Sequence, residues 1–343
     1  MPDPPGINPL PLPPQSMLIQ MGNPSVARVI QAAAKLGLAD HLESGPRNAK
    51  ELAGPLRANA PALHRFMRSL AGLGVLTQTE NGRFALTPLG DALRTNAPMS
   101  ARPTLLMMGS ELPARAFDHF VYSLQTGKTG TEKAWGMPFF EYLEQHPEEA
   151  SLFSQTMVGF HGGEPPAVAA AYDFAKFSTI VDVGGATGNL LAAILARHDG
   201  PRGVLFDRPY VVADAPAFLS ARGVKERVAI EAGDFFEKVP TGGDAYLLSH
   251  IVHDWDEETC LKILGNCRAA MNPDGRLLII EMVIPEGDGF HPAKLLDMAM
   301  LVLMGGEERT EAEYGALLGK AGFRISGVTP TQSAASIVEA LPA

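Results

Sequence analysis

Residues 180–188 read Ile-Val-Asp-Val-Gly-Gly-Ala-Thr-Gly, a short apolar run that passes directly into a glycine-rich turn. Apolar residues at helical spacing follow at 189–196, so the stretch predicts a strand, a tight turn and a helix. Glycines at such a turn allow a ligand to approach the backbone. The stretch therefore predicts a ligand-binding α/β unit.

Short aliphatic runs and helical patterns alternate after this turn. Strands are predicted at 180–183, 203–206, 228–231, 244–249 and 276–281, and helices at 189–196, 210–221, 257–271 and 311–321. Segments 323–328 and 336–340 are expected to complete the sheet, with one antiparallel member. This alternation predicts an α/β fold with a Rossmann-like, doubly wound, mostly parallel sheet covered on both faces.

The first hundred residues have a different, mainly helical pattern. Helices are predicted at 23–43, 49–56 and 60–73, followed by two short strands around residues 80–82, which is typical of a winged helix. Two long helices, 104–125 and 138–160, are expected next, joined by a loop at 126–136. This region therefore forms a separate domain in our interpretation.

Composition excludes several classes of partner. The chain has 343 residues, 46% of them hydrophobic, and a net charge of -10, which predicts two globular domains and disfavours nucleic acid or an anionic membrane as a partner. No apolar run approaches the roughly 20 residues needed to span a bilayer. Arg65 and Arg68 on the second winged-module helix nevertheless leave a DNA-binding regulator as an alternative.

The two cysteines predict a reducing compartment. Cys260 and Cys267 lie seven residues apart on one predicted helix, about 10 Å along its axis, and so cannot bridge each other. We expect both to be buried core residues of a cytoplasmic protein.

Acidic residues follow three neighbouring predicted strands. Asp182 precedes the glycine turn, Asp207 ends the second strand, and Asp234 follows the third beside Phe235. The glycine spacing matches neither a dinucleotide fingerprint nor a P-loop, which disfavours a nicotinamide dehydrogenase. Carboxylates at strand ends accept hydrogen bonds from ribose and adenine, so the set predicts a nucleoside pocket.

Four motifs carry a family resemblance. They are the turn at 182–188, Phe206-Asp207-Arg208-Pro209, His253-Asp254-Trp255 and Gly305-Gly306-Glu307-Glu308-Arg309-Thr310. With them the chain resembles, over nearly its whole length after Met17, the small-molecule O-methyltransferases typified by plant caffeic acid O-methyltransferase and its bacterial relatives of secondary metabolism. It departs from the family at Ala186, where a glycine is usual, and at Ser249, where plant members often have lysine.

The resemblance implies a class I methyltransferase that uses S-adenosylmethionine and releases S-adenosylhomocysteine. In the family the glycine turn holds the methionine part, and residues matching Asp207 and Asp234 hold ribose and adenine. The implied cofactor site comprises Asp182, Gly184, Gly185, Gly188, Asp207, Arg208, Asp234, Phe235, Ser249 and Asp254. No metal is expected, because a strand exit rarely makes neighbouring histidine and aspartate ligands converge.

His253 is predicted to be the catalytic base. An aromatic hydroxyl titrates near 10, so it needs a base as it attacks an activated methyl group. Glu281 and Glu308 are positioned to orient the imidazole, and the resemblance gives them the same role. Asp256 is expected only to cap the following helix. The acceptor pocket is predicted from Met108, Trp135, Met157, Phe160, His250 and Met304.

The resemblance also implies the domain organisation. We predict a disordered proline-rich arm (1–16), a winged-helix dimerisation domain (17–100), a helical linker contributing to the substrate pocket (101–165) and a catalytic domain (166–343). A homodimer acting on a small hydroxylated aromatic, polyketide-like or carotenoid-like molecule is expected. The alternative within the fold is a relative that hydroxylates or decarboxylates, which the presence of His253 and Glu308 disfavours.

Overall fold

A computed structural model describes residues 13–161 and 163–343, and leaves the side chains of residues 158–161 undescribed. The chain divides into two compact units. The first comprises residues 13–110 and 152–159, and the second comprises residues 111–151 together with the remainder from 160 to 343. No helix within the described ranges is long and apolar enough to cross a membrane.

The first unit is built from short helices and one hairpin. Its elements are α1 (Pro14–Met21), α2 (Ser25–Leu36), α3 (Leu38–Leu42), α4 (Ala49–Ala53), α5 (Ala60–Gly72), β1 (Leu76–Gln78), β2 (Phe84–Leu86), α6 (Pro88–Asp91) and α7 (Arg102–Met108). Asn48 caps α4 in a capping box with Glu51, and Asn59 caps α5. The order of α4, α5 and the antiparallel β1–β2 pair is the predicted one.

Two predictions for this region are wrong in detail. Helix α1 begins at Pro14, inside the segment predicted as a disordered arm, because proline is tolerated in the first turn of a helix. The single helix predicted at 23–43 is two helices, since Gly37 takes a left-handed conformation (φ 63°) between them. Residues 1–12 of the predicted arm lie outside the described part of the chain.

The second unit begins with helices α8 (Glu111–Phe117), α9 (Phe120–Thr126), α10 (Gly130–Trp135) and α11 (Phe139–Gln145). Helix α12 (Pro147–His161) is divided between the two units, and α13 (Glu164–Ala171) belongs to the second. The long helices predicted at 104–125 and 138–160 are therefore wrong. Gly109 ends α7, and Pro147 disfavours helical geometry at the residue before it. The loop predicted at 126–136 also contains α10, capped by Thr129.

The remainder alternates strands and helices around one sheet. It contains β3 (Thr179–Val183), α14 (Asn189–Arg197), β4 (Arg202–Asp207), α15 (Ala215–Ala221), β5 (Val228–Ala232), β6 (Ala245–Ser249), α16 (Glu257–Ala270), β7 (Arg276–Glu281), α17 (Pro292–Leu303), α18 (Glu311–Lys320), β8 (Phe323–Pro330) and β9 (Ser336–Pro342). Every predicted strand and helix of this region is present to within a few residues; the first turns of the helix predicted at 210–221 are a 3-10 turn at Val212–Asp214.

The sheet has seven strands in the order β5-β4-β3-β6-β7-β9-β8. β9 pairs antiparallel with both neighbours and the other pairs are parallel, which confirms the prediction of one antiparallel member. Alternate residues of each central strand pack on opposite faces: Ile180 joins one buried cluster and Val181 the other. Successive connections run to opposite sides of β3, so a ligand crevice is expected at the carboxyl ends of β3 and β6.

The cysteines lie as predicted. Cys260 and Cys267 are both fully buried in α16 and both are free thiols. Asp256 caps that helix through a hydrogen bond from the Thr259 backbone N–H (2.9 Å), which confirms its predicted capping role.

Candidate active site

The glycine turn between β3 and α14 requires backbone conformations and spaces that favour glycine. Gly184 (φ 71°) and Gly188 (φ 85°) are left-handed, and a Cβ on Gly184 would lie 2.5 Å from the Cδ1 of Ile251. Ala186 adopts the same left-handed region (φ 50°), which disfavours a non-glycine residue by about 1 kcal/mol. The alanine therefore adopts, despite its methyl group, the same left-handed conformation as Gly184 and Gly188 in the turn.

Two of the predicted acidic residues lie near each other after neighbouring strands, where the Arg208 side chain pairs with Asp234 and the Arg208 backbone N–H donates to Asp207. Asp207 accepts hydrogen bonds from the backbone N–H groups of Ala186 (2.9 Å) and Arg208 (2.7 Å), so it links β4 to the glycine turn. Asp234 accepts from the Phe236 N–H (2.8 Å) and pairs with the Arg208 guanidinium at 3.5 Å. Both carboxylates stay partly exposed, as acceptors of ribose and adenine hydrogen bonds need to be.

Asp182 lies buried beneath the turn, at 1% exposure. Neither of its carboxylate oxygens accepts a hydrogen bond of good geometry from the described residues. Burial raises its pKa to about 7, and the nearby charge of Asp207 adds to the shift. A buried carboxylate that lacks a well-aligned donor among the described residues, under a turn of close-approach glycines, fits a ligand that brings its own donors.

Replacing Asp182 by asparagine tests this arrangement. The raised pKa means that the ionised carboxylate destabilises the fold above pH 7, while the penalty is absent below the unfolded pKa near 4. We expect Asp182→Asn to raise the melting temperature by a few degrees at pH 8 but not at pH 4, and to weaken cofactor binding. A lower melting temperature at pH 8 would contradict the assignment of Asp182 as an uncompensated charge.

His253 is held in a buried network of carboxylates. It lies in a 3-10 turn after β6 and is 7% exposed, and its Nδ1 is 2.6 Å from the Oε1 of Glu308. The Nε2 faces the Asp254 carboxylate at 3.5 Å. Burial by itself lowers the pKa of His253, but the charges of Glu281, Glu308 and Asp254 and the Glu308 hydrogen bond outweigh it and raise the pKa to about 10.

The two predicted orienting glutamates act in different ways. Glu308 contacts the imidazole directly, whereas the Oε1 of Glu281 accepts the backbone N–H groups of Val252 (2.7 Å) and His253 (3.1 Å). The other Glu281 oxygen accepts a short hydrogen bond from the Tyr314 hydroxyl. Glu281 therefore fixes the backbone that carries the ring, while its charge acts on the imidazole from close by; its predicted role beside the base stays a prediction.

The loop that carries Glu308 is tied to the His253 turn. The Glu307 N–H donates to the His253 carbonyl (2.9 Å), and a Cβ on Gly306 would lie 1.9 Å from that oxygen. Arg309 donates to the Val252 carbonyl at 3.2 Å, and the Glu308 N–H is held by Asp297 at 2.9 Å. The motif 305–310 thus positions Glu308 through its backbone.

His253, Glu281 and Glu308 bring donor atoms within 4.8 Å of one another, the spacing of a metal site. Glu281, however, already accepts three hydrogen bonds, and Nδ1 of His253 is paired with Glu308. A metal ion would have to displace these bonds. The donor set fits a hydrogen-bonded catalytic base rather than a metal centre.

Several aromatic rings lie near the site that is predicted to hold adenine. Phe235 lies beside Gly184, at 3.6 Å from the position of an added Cβ, and Trp255 packs against Phe236 at a centroid distance of 5.0 Å. Phe140 stacks on Trp255 at 5.9 Å. Flat apolar faces next to Asp234 suit a purine base.

The other predicted site residues are only partly brought together. Ser249 ends β6, with its backbone aligned to Ile280. Trp135, His250 and Met304 lie in the second unit, and the Arg115 guanidinium covers the Trp135 ring at 4.3 Å. Met108, 60% exposed, and Met157 belong to the first unit, while the side chain of Phe160 lies outside the described residues.

Sequence reasoning missed Tyr314, Asp297 and Glu164. Tyr314 and Asp297 hydrogen-bond to Glu281 and Glu308, and Glu164 pairs with His250. All three lie in helices. From the sequence alone, Tyr314 would be interpreted as a core residue, and Asp297 and Glu164 as acidic residues on the surface. No local pattern marks any of them, since their partners lie 11 to 86 residues away.

Comparison of the chain with known protein families agrees with this geometry. A family model described as the O-methyltransferase domain matches residues 117–324, and one described as the O-methyltransferase dimerisation domain matches residues 21–96. The chain belongs to the O-methyltransferase family. It is an S-adenosylmethionine-dependent O-methyltransferase with a class I fold, as its sequence predicts, and the fold class is confirmed.

Individual relatives of the methyltransferase come from bacterial secondary metabolism. The phenazine O-methyltransferase PhzM of Lysobacter antibioticus is 43% identical over 96% of this chain and 97% of its own. The crystal structure of LaPhzM, also 43% identical, matches with a TM-score of 0.90 over 97% of this chain and all of that one. CalO1 of calicheamicin biosynthesis, solved with S-adenosylhomocysteine bound, is 36% identical with a TM-score of 0.85 over 96% and 98%.

Proposed function

We propose that this methyltransferase methylates a hydroxyl of a small aromatic or polyketide-like molecule, with His253 as the general base. The observation that carries the proposal is the buried contact of Nδ1 with Glu308 at 2.6 Å. A carboxylate on Nδ1 holds the ring with Nδ1 protonated, so Nε2 is the nitrogen that accepts a proton. The phenazine substrate named for a relative 43% identical supports an aromatic acceptor.

The residues of the site each have one task in the transfer. Bound S-adenosylmethionine supplies a methyl group on a positively charged sulfur, and Asp207 and Asp234 would hold its ribose and adenine. Nε2 of His253 accepts the hydroxyl proton as the oxygen–carbon bond forms and the carbon–sulfur bond breaks. Glu308, Asp254 and Glu281 stabilise the resulting imidazolium, and no other proton acceptor is needed.

Label transfer tests the proposal. The full chain is incubated with methyl-labelled S-adenosylmethionine and a panel of phenols, hydroxyquinones, aliphatic alcohols and matched aryl amines, with and without EDTA. We expect label on phenols or hydroxyquinones and no loss of rate with EDTA. Transfer only to amines, or no transfer to any hydroxyl, would overturn it.

The acid side of the pH profile reports on His253. Only the neutral ring accepts a proton, and its pKa is raised towards 10 largely by Glu281 and Glu308, so kcat/KM rises with pH above the ordinary imidazole value of about 6.5. Glu308→Gln removes one raising charge, so we expect a lower kcat and an acid limb displaced to lower pH. A lower kcat with an unmoved limb would assign Glu308 a structural role only.

We also propose a homodimer formed through the first unit. A dimerisation-domain model matches residues 21–96, and Leu18, Ile19 and Met21 of α1 are more than two-thirds exposed in the single chain. Light scattering of the full chain is expected to give twice the 36.5 kDa chain mass. A monomer at micromolar concentration would contradict this.

The buried thiols and the family's metabolic role support a cytoplasmic location.

A further inference from the structure

Glu164 and His250 form a second buried acid–base pair, which the proton transfer does not use. The Nε2 of His250 lies 2.7 Å from the Oε1 of Glu164, and the two side chains are 12% and 8% exposed. Glu164 is the first residue of α13, and His250 directly follows β6. Burying two ionisable groups in an enzyme core is unfavourable unless they are paired or bind a ligand.

The backbone of His250 is in an unusual conformation. Its φ is 54°, in the left-handed region that disfavours non-glycine residues, and its N–H donates to the Ile280 carbonyl at 3.1 Å. Strained positions of this kind are concentrated at ligand sites, where the geometry itself is used. The strain and the Glu164 contact together fix where the imidazole lies.

Through His250, the pair lies near both the glycine turn and the proposed base, His253. Ile251, the next residue, packs against Gly184 of the turn, because β6 is the neighbour of β3 in the sheet. On the other side, the ring of His250 is 5.3 Å from the ring of His253. A ligand group that reaches from the glycine turn towards His253 is therefore expected to come close to His250.

We propose that Glu164 and His250 bind the zwitterionic amino acid end of S-adenosylmethionine, with Glu164 facing its ammonium group and His250 its carboxylate. A carboxylate accepts hydrogen bonds from an ammonium group and an imidazole N–H donates to a carboxylate, so the two side chains offer partners to both ends of a zwitterion, and charge-assisted hydrogen bonds are the strong ones. This assignment replaces the predicted place of His250 in the acceptor pocket. It rests on the proposed use of this cofactor.

Calorimetric binding of two nucleosides tests the proposal. S-adenosylhomocysteine carries the amino acid end, whereas 5′-methylthioadenosine has the same nucleoside and sulfur without it. We expect Glu164→Gln and His250→Gln to weaken S-adenosylhomocysteine about tenfold or more, the effect of losing a hydrogen bond to a charged group, and to leave methylthioadenosine within about twofold. Glu311→Gln, at the exposed first position of α18, is the matched control and changes neither.

Each other outcome overturns the assignment. Equal weakening of both nucleosides would make the pair a structural support, and unchanged cofactor binding with a raised KM for the acceptor would place it on the acceptor side. If the wild-type chain binds neither nucleoside, the proposed function itself fails, which is a separate result. Thermal melting checks folding, and either variant alone provides the comparison if the other unfolds.

Discussion

We expect His253→Ala to remove most methyl transfer while leaving cofactor binding intact. A positioned general base typically contributes about 10²- to 10⁴-fold to the rate, and among the described residues the ring nitrogens of His253 face the carboxylates of Glu308 and Asp254. We expect kcat to fall by that range, measured as label transfer at saturating cofactor. The dissociation constant for S-adenosylhomocysteine, measured by calorimetry, is expected to change by less than about threefold.

The matched control for this variant is His119→Ala. That imidazole precedes α9 and takes no part in the network around Glu308. The His119→Ala protein should retain wild-type turnover. A fully active His253→Ala protein would show that the methyl transfer needs no base at this position, and the proposed mechanism would then be wrong.

Asp207→Ala is expected to act on binding instead of chemistry. Asp207 accepts a hydrogen bond from the Ala186 N–H of the glycine turn (2.9 Å) and one from the N–H of its neighbour Arg208 (2.7 Å), and it is the candidate ribose acceptor. Losing a charged acceptor removes roughly 1.5 to 3 kcal/mol per hydrogen bond, so S-adenosylhomocysteine should bind at least about tenfold more weakly. Turnover at saturating cofactor should fall far less than in His253→Ala.

Asp199→Ala provides the control at the opposite end of the same strand. Asp199 is exposed and precedes β4, whereas Asp207 ends it, so both variants remove one carboxylate near one strand. Asp199→Ala should bind the nucleoside normally. Equal losses of cofactor affinity in His253→Ala and Asp207→Ala would contradict the division of roles between the base and the nucleoside site.

The sheet and the order of its ligand residues were predictable because they depend on local patterns. Buried parallel strands need continuous aliphatic runs, and the glycine turn and strand-end aspartates follow them at short spacing. Helix boundaries were less predictable. A helical apolar pattern continues across Gly109 and Pro147, where backbone geometry, not hydrophobicity, ends the helices.

The partners within the site could not be read from the sequence in the same way. Glu281 occupies the expected strand end, but whether its carboxylate meets a ring or a backbone N–H depends on a 3-10 turn that has no sequence pattern of its own. Glu164 meets His250 across 86 residues. Such contacts arise when α13 packs against the sheet, and a single sequence does not indicate them.

The close contact between Gly306 and the His253 carbonyl limits how far the 305–310 loop and the His253 turn can move apart. No side chain can be inserted at this point, and the Glu307 N–H closes the same contact. We therefore expect the segments that carry His253 and Glu308 to stay together when substrates enter or products leave, so that the carboxylate keeps its hold on the imidazole from one turnover to the next.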